Sequence, residues 1–481
     1  MTSVVAQQFD LPPELWSQIF AHLKPQQLLR IRLVCHRWKA IADRERSLWT
    51  RLRIKFTDEV VTLDENFRPF IAPAAEVQLE AVRIVTVDSW WPTHLTCVRM
   101  RGCHVSLESF LGMLRRTPNL TQLGLLFVEF ASGGNGGVVD FRLERLESLE
   151  LIQYSDDLLD LFGRLCPRLR ELSLEDDGEH DRATARLIES VQDTLQRLKL
   201  WMTPYVLQKM SLMERLQLKS VELTDLQEDE YALSLSRFQP SLEELLVTIR
   251  RNSVLCEIGT NLPGLKRLTV GLVDEDGLDF LATMPLLEEL NIGGGQEALN
   301  FNGFHCPNLT ALTLDGVELV ASSLRSISSK LKELKFEKCA MDSWSDLLAV
   351  LAAQSSLLHL DLWFVQFENR AIPAVSPPPQ TNLQYLRIYP ATPFTNKMLL
   401  HLAEMTPHLE TLALTSMPRV GDATVRKLCR QLPRLARLTL DFCSVTAACA
   451  RDVVNRHRAL EHVQVRAKSQ SKFQEIRRFP S

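Results

Sequence analysis

An apolar triad with the spacing Leu-x-x-Leu-x-Leu recurs sixteen times between residues 95 and 465 and constrains the fold more than any other feature. All 48 positions of these triads are apolar, and 38 of them are leucine. The triads begin every 22 residues from Leu265 to Leu331 and every 26 residues from Leu331 to Leu435. Such a period indicates repeated supersecondary units that bury their apolar faces against their neighbours, which a single globular core does not explain.

The spacing within each triad predicts a strand, and the residues that follow predict a returning segment. The second and third apolar positions lie two residues apart, so both side chains point to the same side of a strand. Apolar residues recur at i, i+3, i+4 and i+7 from Leu107, Trp344 and Val425, which predicts amphipathic helices. The fold class is therefore α/β: a curved solenoid with a parallel sheet on the concave face and helices or loops on the convex face.

One stretch of the array departs from this regularity. The interval from Leu195 to Met213 is 18 residues, and the next interval, from Met213 to Leu242, is 29 residues. The short interval predicts a repeat with little room for a helix. The long interval predicts a compensating loop.

Length and charge exclude several classes of protein. A chain of 481 residues exceeds what one compact core holds. A formal net charge of −4 gives no overall attraction to nucleic acid or to an acidic membrane. No apolar segment approaches the roughly 18 residues of a membrane span, and residues 1–10 lack the basic and apolar regions of a signal peptide. We therefore expect a cytoplasmic or nuclear chain that binds neither membrane nor nucleic acid.

The ten cysteines give no sign of a metal site, a disulfide framework or a nucleophile. They include no Cys-x-x-Cys pair and accompany no histidines at metal-ligand spacing. Cys103, Cys339 and Cys443 each lie three residues after the last position of a triad, where leucine-rich repeats place a side chain that bonds the backbone of the turn. We expect reduced thiols, no cofactor and no enzyme activity, although a small molecule on the concave face stays an open alternative.

Residues 9–56 follow a different pattern. Pro12 and Pro13 suit the first turn of a helix, in which Leu15, Ile19 and Leu23 recur at intervals of four. Two further short apolar stripes follow. Three small helices would form a module of about 45 residues, below the size at which a lone core is comfortably stable. We therefore expect the module to dock on a partner or on the solenoid.

This segment closely resembles the F-box motif. The matching residues, in the order and spacing of the motif, are Leu11-Pro12-x-Glu14-Leu15, Ile19-Phe20-x-x-Leu23, Leu28, Val34-Cys35-x-x-Trp38 and Leu48-Trp49. With the repeats behind it, the whole chain is similar to F-box and leucine-rich-repeat proteins.

The resemblance implies a non-catalytic substrate receptor of a Skp/cullin/F-box ubiquitin ligase. Such receptors dock on a Skp-family adaptor, which links them to cullin and RING subunits, and they hold a protein substrate on the repeats. Carried onto this sequence, the expected adaptor-binding residues, some of which must be module core instead, are Leu11, Pro12, Glu14, Leu15, Ile19, Phe20, Leu28, Val34 and Trp38. The alternative is a leucine-rich-repeat interaction scaffold without ligase function.

Charge near the module favours an acidic partner. Between Lys24 and Lys55 there are ten lysines and arginines against only Asp43 and Glu45. A basic segment can also indicate nucleic acid, but no nucleic-acid motif accompanies it, and the adaptors of the family are acidic. We therefore favour a protein adaptor over DNA or RNA.

Residues between the apolar positions of a triad point into the concave face and form rows across adjacent strands. The two rows richest in aromatic residues are His359, Asp361, Trp363 and Tyr385, Arg387, Tyr389. Aromatic residues and arginine dominate the energetics of protein interfaces. Our hypothesis is that these six residues form the centre of a substrate-binding surface, and a solvated face with chance aromatics is the alternative.

The expected organisation has four parts. They are an F-box at 9–56, a connector and N-terminal cap at 57–92, about 16 leucine-rich repeats at 93–467 and a basic tail at 468–481. The tail lacks a further triad, so it is either a frayed end or a segment that folds back over the concave surface.

Overall fold

The computed structural model describes residues 11–49, 52–57, 62–63, 74–85, 91, 95–131, 139–175, 178–223, 229–272, 277–295, 298–372, 382–390, 394–466 and 474–477. The chain divides into two compact units, Met1–Leu218 and Lys219–Ser481. Each unit is built mainly from parallel strands connected by helices or tight turns.

The first unit begins with three short helices and continues as a parallel sheet. Its elements are α1 Pro13–Ala21, α2 Pro25–Ile31, α3 His36–Arg44, β1 Arg53–Thr57, β2 Thr62–Leu63, β3 Glu76–Glu80, β4 Arg83–Ile84, β5 Cys97–Arg101, β6 His104–Ser106, α4 Leu107–Arg115, β7 Gln122–Leu126, β8 Glu129–Ala131, β9 Ser148–Ile152, α5 Asp156–Leu165, β10 Glu171–Glu175, α6 Asp181–Val191, β11 Arg197–Leu200 and α7 Pro204–Met210. Strands β1, β3, β5, β7, β9, β10 and β11 pair in that order, all parallel. Strands β2, β4, β6 and β8 form a second, small parallel sheet.

The three N-terminal helices share one apolar core with the start of the sheet. Phe20, Leu28 and Trp49 are almost fully buried in it. The Trp49 indole Nε1 donates a hydrogen bond of 2.7 Å to the carbonyl oxygen of Ala42. Ala74, which precedes β3, belongs to the same core. The module therefore completes its small core by packing on the first repeat, as expected for its size.

The sheet begins earlier than the triads predict. Strand β1 pairs with β3 over five residues, and β3 pairs with β5, so two strands precede the first triad at Leu95. The residues around β3 have the triad spacing, Ala74-x-x-Val77-x-Leu79, and all three are fully buried. The boundaries at 56 and at 57–92 are therefore wrong where they exclude these strands. Alanine in the first position hid this repeat.

The second unit repeats the same plan. Its elements are β12 Ser220–Leu223, α8 Asp229–Phe238, β13 Glu244–Ile249, α9 Asn252–Asn261, β14 Arg267–Leu272, β15 Glu289–Gly294, β16 Ala311–Asp315, β17 Glu318–Leu319, β18 Glu333–Glu337, β19 Ala340–Ser343, α10 Trp344–Ala353, β20 His359–Asn369, β21 Tyr385–Pro390, α11 Asn396–Met405, β22 Thr411–Thr415, α12 Asp422–Gln431, β23 Arg437–Asp441, α13 Ala447–Arg456, β24 His462–Arg466 and β25 Gln474–Arg477. Strands β12 to β16, β18 and β20 to β24 pair in parallel in that order. Strands β17, β19 and the end of β20 form a small separate sheet.

Repeat length decides which returning segment forms. The 22-residue repeats contain the 3₁₀ helices Asp279–Thr283 and Ala321–Ser326, whereas the 26-residue repeats contain α10, α11, α12 and α13 with ten residues each. Four more residues supply about one further α-helical turn. The helices predicted from Leu107, Trp344 and Val425 are confirmed as α4, α10 and α12.

The irregular interval after Leu195 was assigned in the wrong frame. Helix α7 lies within it, although little room for a helix was expected. Strand β12 places Val221 opposite Leu245 of β13. The triad is therefore Leu218-x-x-Val221-x-Leu223, and the first positions Leu195, Leu218 and Leu242 lie 23 and 24 residues apart. Leu218 misled the pattern because it can end one triad and begin the next.

Cysteines bond the backbone of the turn after a strand, as predicted. The Sγ of Cys339 lies 3.2 Å from the carbonyl oxygens of Leu314 and Glu337, and Cys103 and Cys443 make equivalent contacts. Burial raises the pKa of the Cys339 thiol to about 11. This thiol therefore stays protonated at neutral pH, so it donates a hydrogen bond and does not act as a nucleophile.

The C-terminal segment adds a strand to the sheet. Strand β25 pairs antiparallel with β24, with Ile476 opposite Val463. The tail therefore covers the edge strand and is not simply frayed; residues 467–473 and 478–481 lie outside the described part. Covering an edge removes a row of unpaired backbone groups that could pair with another chain.

Candidate protein-binding sites

The structure separates core from surface among the residues expected to bind an adaptor. Phe20 and Leu28 are each 1% exposed, so a partner cannot reach them in the folded module. Trp38 is half-buried, and its ring centroid lies 4.7 Å from that of Trp16 and 5.6 Å from that of Phe20. The expectation that Phe20 and Leu28 contact an adaptor is therefore wrong. Both point inward, where three short helices must share one core.

The other expected adaptor-binding residues face solvent or lie at the margin of the module. Leu15 and Ile19, one helical turn apart on α1, are both 43% exposed, and Val34 is 63% exposed. Pro12 and Glu14 are exposed, and Leu11 is half-buried. Large apolar side chains at such exposure have no packing role that explains them.

Sequence reasoning missed two further exposed leucines of the module. Leu29 is 36% exposed, and Leu33 is 86% exposed. Leu33 was assigned to the apolar stripe of the second helix, but α2 ends at Ile31 and leaves Leu33 in the following turn. We call Leu15, Ile19, Leu29, Leu33 and Val34 the apolar docking residues.

Exposed large apolar side chains are concentrated in this module. Of the ten in the described part of the chain, five are the apolar docking residues, although residues 11–49 are a small part of the chain. Clusters of this kind mark protein interaction sites on soluble proteins. Basic side chains accompany them: Arg30 and Lys39 are exposed, whereas Arg32 is buried and paired with Asp43 at 2.6 Å.

The inner surface of the second unit brings together the six residues of the second candidate site. Backbone pairing places His359 opposite Tyr385, Asp361 opposite Arg387 and Trp363 opposite Tyr389. The Trp363 and Tyr389 rings meet edge to face with centroids 4.9 Å apart. The two rows predicted from the triads therefore lie side by side, and we call these six residues the inner aromatic patch.

Arg387 is held in the middle of this patch by an aromatic ring. Its Cζ lies 4.1 Å from the centroid of the Trp363 ring, a cation–π distance. Its Nη1 lies 3.7 Å from Oδ2 of Asp361, which is an ionic contact but too long for a hydrogen bond. The guanidinium group is therefore oriented more by the indole ring than by the carboxylate.

Sequence reasoning missed one more aromatic neighbour. The Phe364 ring centroid lies 4.2 Å from that of Tyr389, and Phe364 has a φ of 55°. Phe127 and Phe442 occupy the same turn position, two residues after the last apolar position of their triads, with φ of 55° and 52°. This recurrence is the signal that could have found Phe364.

Asp361 is an ionisable group in an unfavourable environment. Burial raises the pKa of its carboxyl group, and the positive charges of Arg387 and Lys335 only partly oppose this shift. Its Oδ1 is buried and has no hydrogen-bond partner among the described residues. The ionised form is therefore poorly compensated in the folded state.

Asp361→Asn is expected to stabilise the second unit at neutral pH. A raised carboxyl pKa means that the folded state binds the proton more tightly than the unfolded state, so the ionised group opposes folding above that pKa. We expect the thermal midpoint to rise by about 2 °C at pH 7.5. The difference from wild type should shrink as the pH falls through the pKa of Asp361. Scanning calorimetry at both pH values measures it, and a lower midpoint at pH 7.5 would contradict this account.

The described residues offer surfaces for binding more than groups for reaction. They contain no group of three or more His, Cys, Asp or Glu placed to hold a metal ion. None of the helices described is both long and apolar enough to cross a membrane. Burial raises the pKa of the Cys306 and Cys443 thiols to about 11, which keeps them protonated.

Comparison with known proteins separates the N-terminal module from the repeats. A model of the F-box-like family matches residues 9–55. No curated protein matches the chain. The solved complex of TLR13 with ssRNA13 is similar over 82% of this chain with a TM-score of 0.50 and 14% identity, and the chain spans 64% of the length of that protein.

Two other solved structures are similar at lower scores. The complex of Rad7 and Elc1 from yeast covers 94% of this chain and 92% of its own, with a TM-score of 0.41 and 14% identity. An internalin from Listeria monocytogenes covers 82% and 87%, with a TM-score of 0.29 and 12% identity. The chain thus combines an F-box-like domain at residues 9–55 with an α/β solenoid of the leucine-rich-repeat type.

Proposed function

We propose that the chain is the substrate-recognition subunit of a Skp/cullin/F-box ubiquitin ligase. The F-box-like domain docks on a Skp-family adaptor, the adaptor connects it to cullin and RING subunits, and the repeats bind a protein substrate. The observation that carries the proposal is the match of residues 9–55 to the F-box-like family, together with the five apolar docking residues in the same module.

The exposed side chains of the module suit an adaptor interface. The apolar docking residues supply surface that gains free energy when a partner removes it from water. Arg30 and Lys39 stand beside them in sequence and are exposed, so an acidic partner is attracted to the same region. Leu11, Pro12 and Glu14 would lie at the margin of this interface. Phe20, Leu28 and Trp38 support it from within or below.

The contribution of such a subunit to ubiquitin transfer is proximity. Binding the substrate and the ligase at the same time converts a bimolecular encounter into an almost intramolecular one. A stacked sheet keeps the binding surface of each unit rigid, since its strands pair residue for residue. This role needs no catalytic residue in the chain, and we place it in the cytoplasm or nucleus, where ubiquitin ligases work on soluble proteins.

Labelling of Cys35 tests the docking step. Cys35 is exposed and directly follows Val34, one of the apolar docking residues, whereas Cys103 and Cys339 are buried. We expect a maleimide to modify Cys35 rapidly in the full chain and slowly once a purified Skp-family adaptor is added, because the adaptor covers it. Mass spectrometry of the labelled peptides gives the rate at each position.

Cys256 is the control within the same chain. It is half-buried on α9 in the second unit, so its labelling rate should not change when the adaptor is added. Equal labelling of Cys35 with and without the adaptor, at adaptor concentrations that saturate binding, would contradict the docking site. Failure of the chain to bind the adaptor at all would instead favour an interaction scaffold without ligase function.

A further inference from the structure

The inner aromatic patch offers hydrogen-bond donors that the described structure leaves unused. Within the described residues, no hydrogen bond engages the guanidinium group of Arg387, the hydroxyl groups of Tyr385 and Tyr389 or the indole N–H of Trp363. Against these donors stands one acceptor without a partner, Oδ1 of Asp361. The patch is therefore richer in free donors than in free acceptors.

Arg387 is the donor best prepared for a ligand. Its guanidinium group lies 4.1 Å over the Trp363 ring and is partly exposed. A guanidinium group held over a ring keeps the donors along its edge available, and their planar fork matches the two oxygens of a carboxylate. Little side-chain entropy remains to be lost when a carboxylate binds, since the indole ring already fixes the orientation.

The surroundings of the patch leave room for an extended segment. Next to β21, strand β22 presents the short side chains of Thr411, Ala413 and Thr415, and its Ala413 lies opposite Arg387. Neighbouring strands are about 4.8 Å apart, so these short side chains form a shallow floor beside the aromatic rings. Trp363, Tyr389 and Phe364 form the raised apolar side.

Charge limits the ligand to a single negative group. On the other side of β20, Lys335 of β18 is already paired with Glu337. The carboxylates of Asp361 and Glu337 therefore lie near Arg387 and would repel a doubly charged phosphate more than a carboxylate. One available guanidinium group beside two acidic residues matches one carboxylate.

We propose that the inner aromatic patch binds an acidic peptide segment of the substrate protein. An Asp or Glu carboxylate of the segment accepts two hydrogen bonds from Arg387, and neighbouring apolar side chains of the segment pack on Trp363, Tyr389 and Phe364. This inference rests on the proposed function, in which the repeats hold the substrate.

Selection from a random peptide library tests the proposal. The probe is a library of random dodecapeptides displayed on phage, and the target is the full chain bound to its Skp-family adaptor. We expect selected peptides to carry Asp or Glu next to aromatic or aliphatic residues. The strongest peptide is then synthesised, and its dissociation constant is measured by fluorescence anisotropy.

Three variants measure the contribution of the carboxylate site. Arg387→Lys keeps the charge but loses the planar fork, so we expect at least about tenfold weaker binding of the selected peptide. Asp361→Asn removes a repelling charge and should strengthen binding about two- to fivefold. Arg101→Lys is the matched control: Arg101 is exposed on β5 of the first unit and forms no ion pair within the described residues, so affinity should not change.

Several outcomes would overturn the proposal. These are enrichment of basic or uncharged peptides, tighter binding of a phosphoserine version of the selected peptide than of its carboxylate version, an Arg387→Lys affinity equal to wild type, and no enrichment above a Trp363→Ala, Tyr389→Ala double variant. Adaptor binding is measured in parallel for every variant. Loss of adaptor binding in the wild-type chain would count against the ligase role, whereas loss of peptide binding alone would count against the carboxylate site.

Discussion

Leu33→Asp is expected to lower the affinity of the chain for a Skp-family adaptor by about a hundredfold or more while the F-box module stays folded. Leu33 is 86% exposed in the turn after α2, so it contributes little to the core of the module. At an interface, the new carboxylate loses its water without gaining a partner, and an acidic adaptor repels it. Isothermal titration calorimetry with the purified adaptor measures the change.

Leu212→Asp is the matched control for this substitution. Leu212 is 71% exposed in the turn after α7, outside the module, and receives the same change of chemistry. It should bind the adaptor as wild type does. Circular dichroism of both variants checks that each is folded. If Leu33→Asp bound the adaptor with wild-type affinity, the apolar docking residues would not form the adaptor interface.

Trp344→Ala is expected to destabilise the repeats around α10 by about 3–5 kcal/mol. Trp344 is fully buried as the first residue of α10, and its ring meets those of Phe367 and Phe394 edge to face at centroid distances of 5.4 and 5.1 Å. Truncation removes both ring contacts and leaves a cavity that a stacked repeat cannot fully close. Because repeats contact mainly their neighbours, the loss should be local.

Hydrogen exchange with mass spectrometry measures this loss better than one global unfolding curve, since a chain with two units need not unfold in a single step. Peptides from α10 and α11 should exchange faster in Trp344→Ala, whereas peptides from α5 and α6 in the first unit should not change. Trp363→Ala is the control, because Trp363 is only half-buried on the inner surface. Equal acceleration of α10 in both variants would refute the special role of Trp344.

The period of the triads predicted most of the second unit because its repeats have nearly constant length. Two residues 26 apart, such as Asp361 and Arg387, fall opposite each other when each repeat returns the chain to the same height. The same regularity explains the error after Leu195. Where spacing changes, a leucine that fits two frames cannot reveal its strand, and only the pairing of Val221 with Leu245 decides between them.

The F-box motif predicted the module but not the direction of its side chains. Leu15 and Phe20 are both apolar motif residues on α1, yet Leu15 faces solvent and Phe20 lies in the core. Helical spacing alone leaves this open, since short helices can turn either edge of an apolar stripe to a shared core. Leu33 was misplaced for a related reason, because the end of α2 sets its exposure.

The sequence by itself determined the repeated strand unit, the F-box-like module and the rows of residues on the inner surface, because each follows from local spacing. Tertiary structure alone decided that the sheet begins at β1, that Phe20 and Leu28 are core, and that Arg387 lies over Trp363 with Asp361 beyond hydrogen-bonding distance. These depend on contacts between residues distant in sequence. Competition for one buried volume or one charged group is settled only when all the competitors are in place.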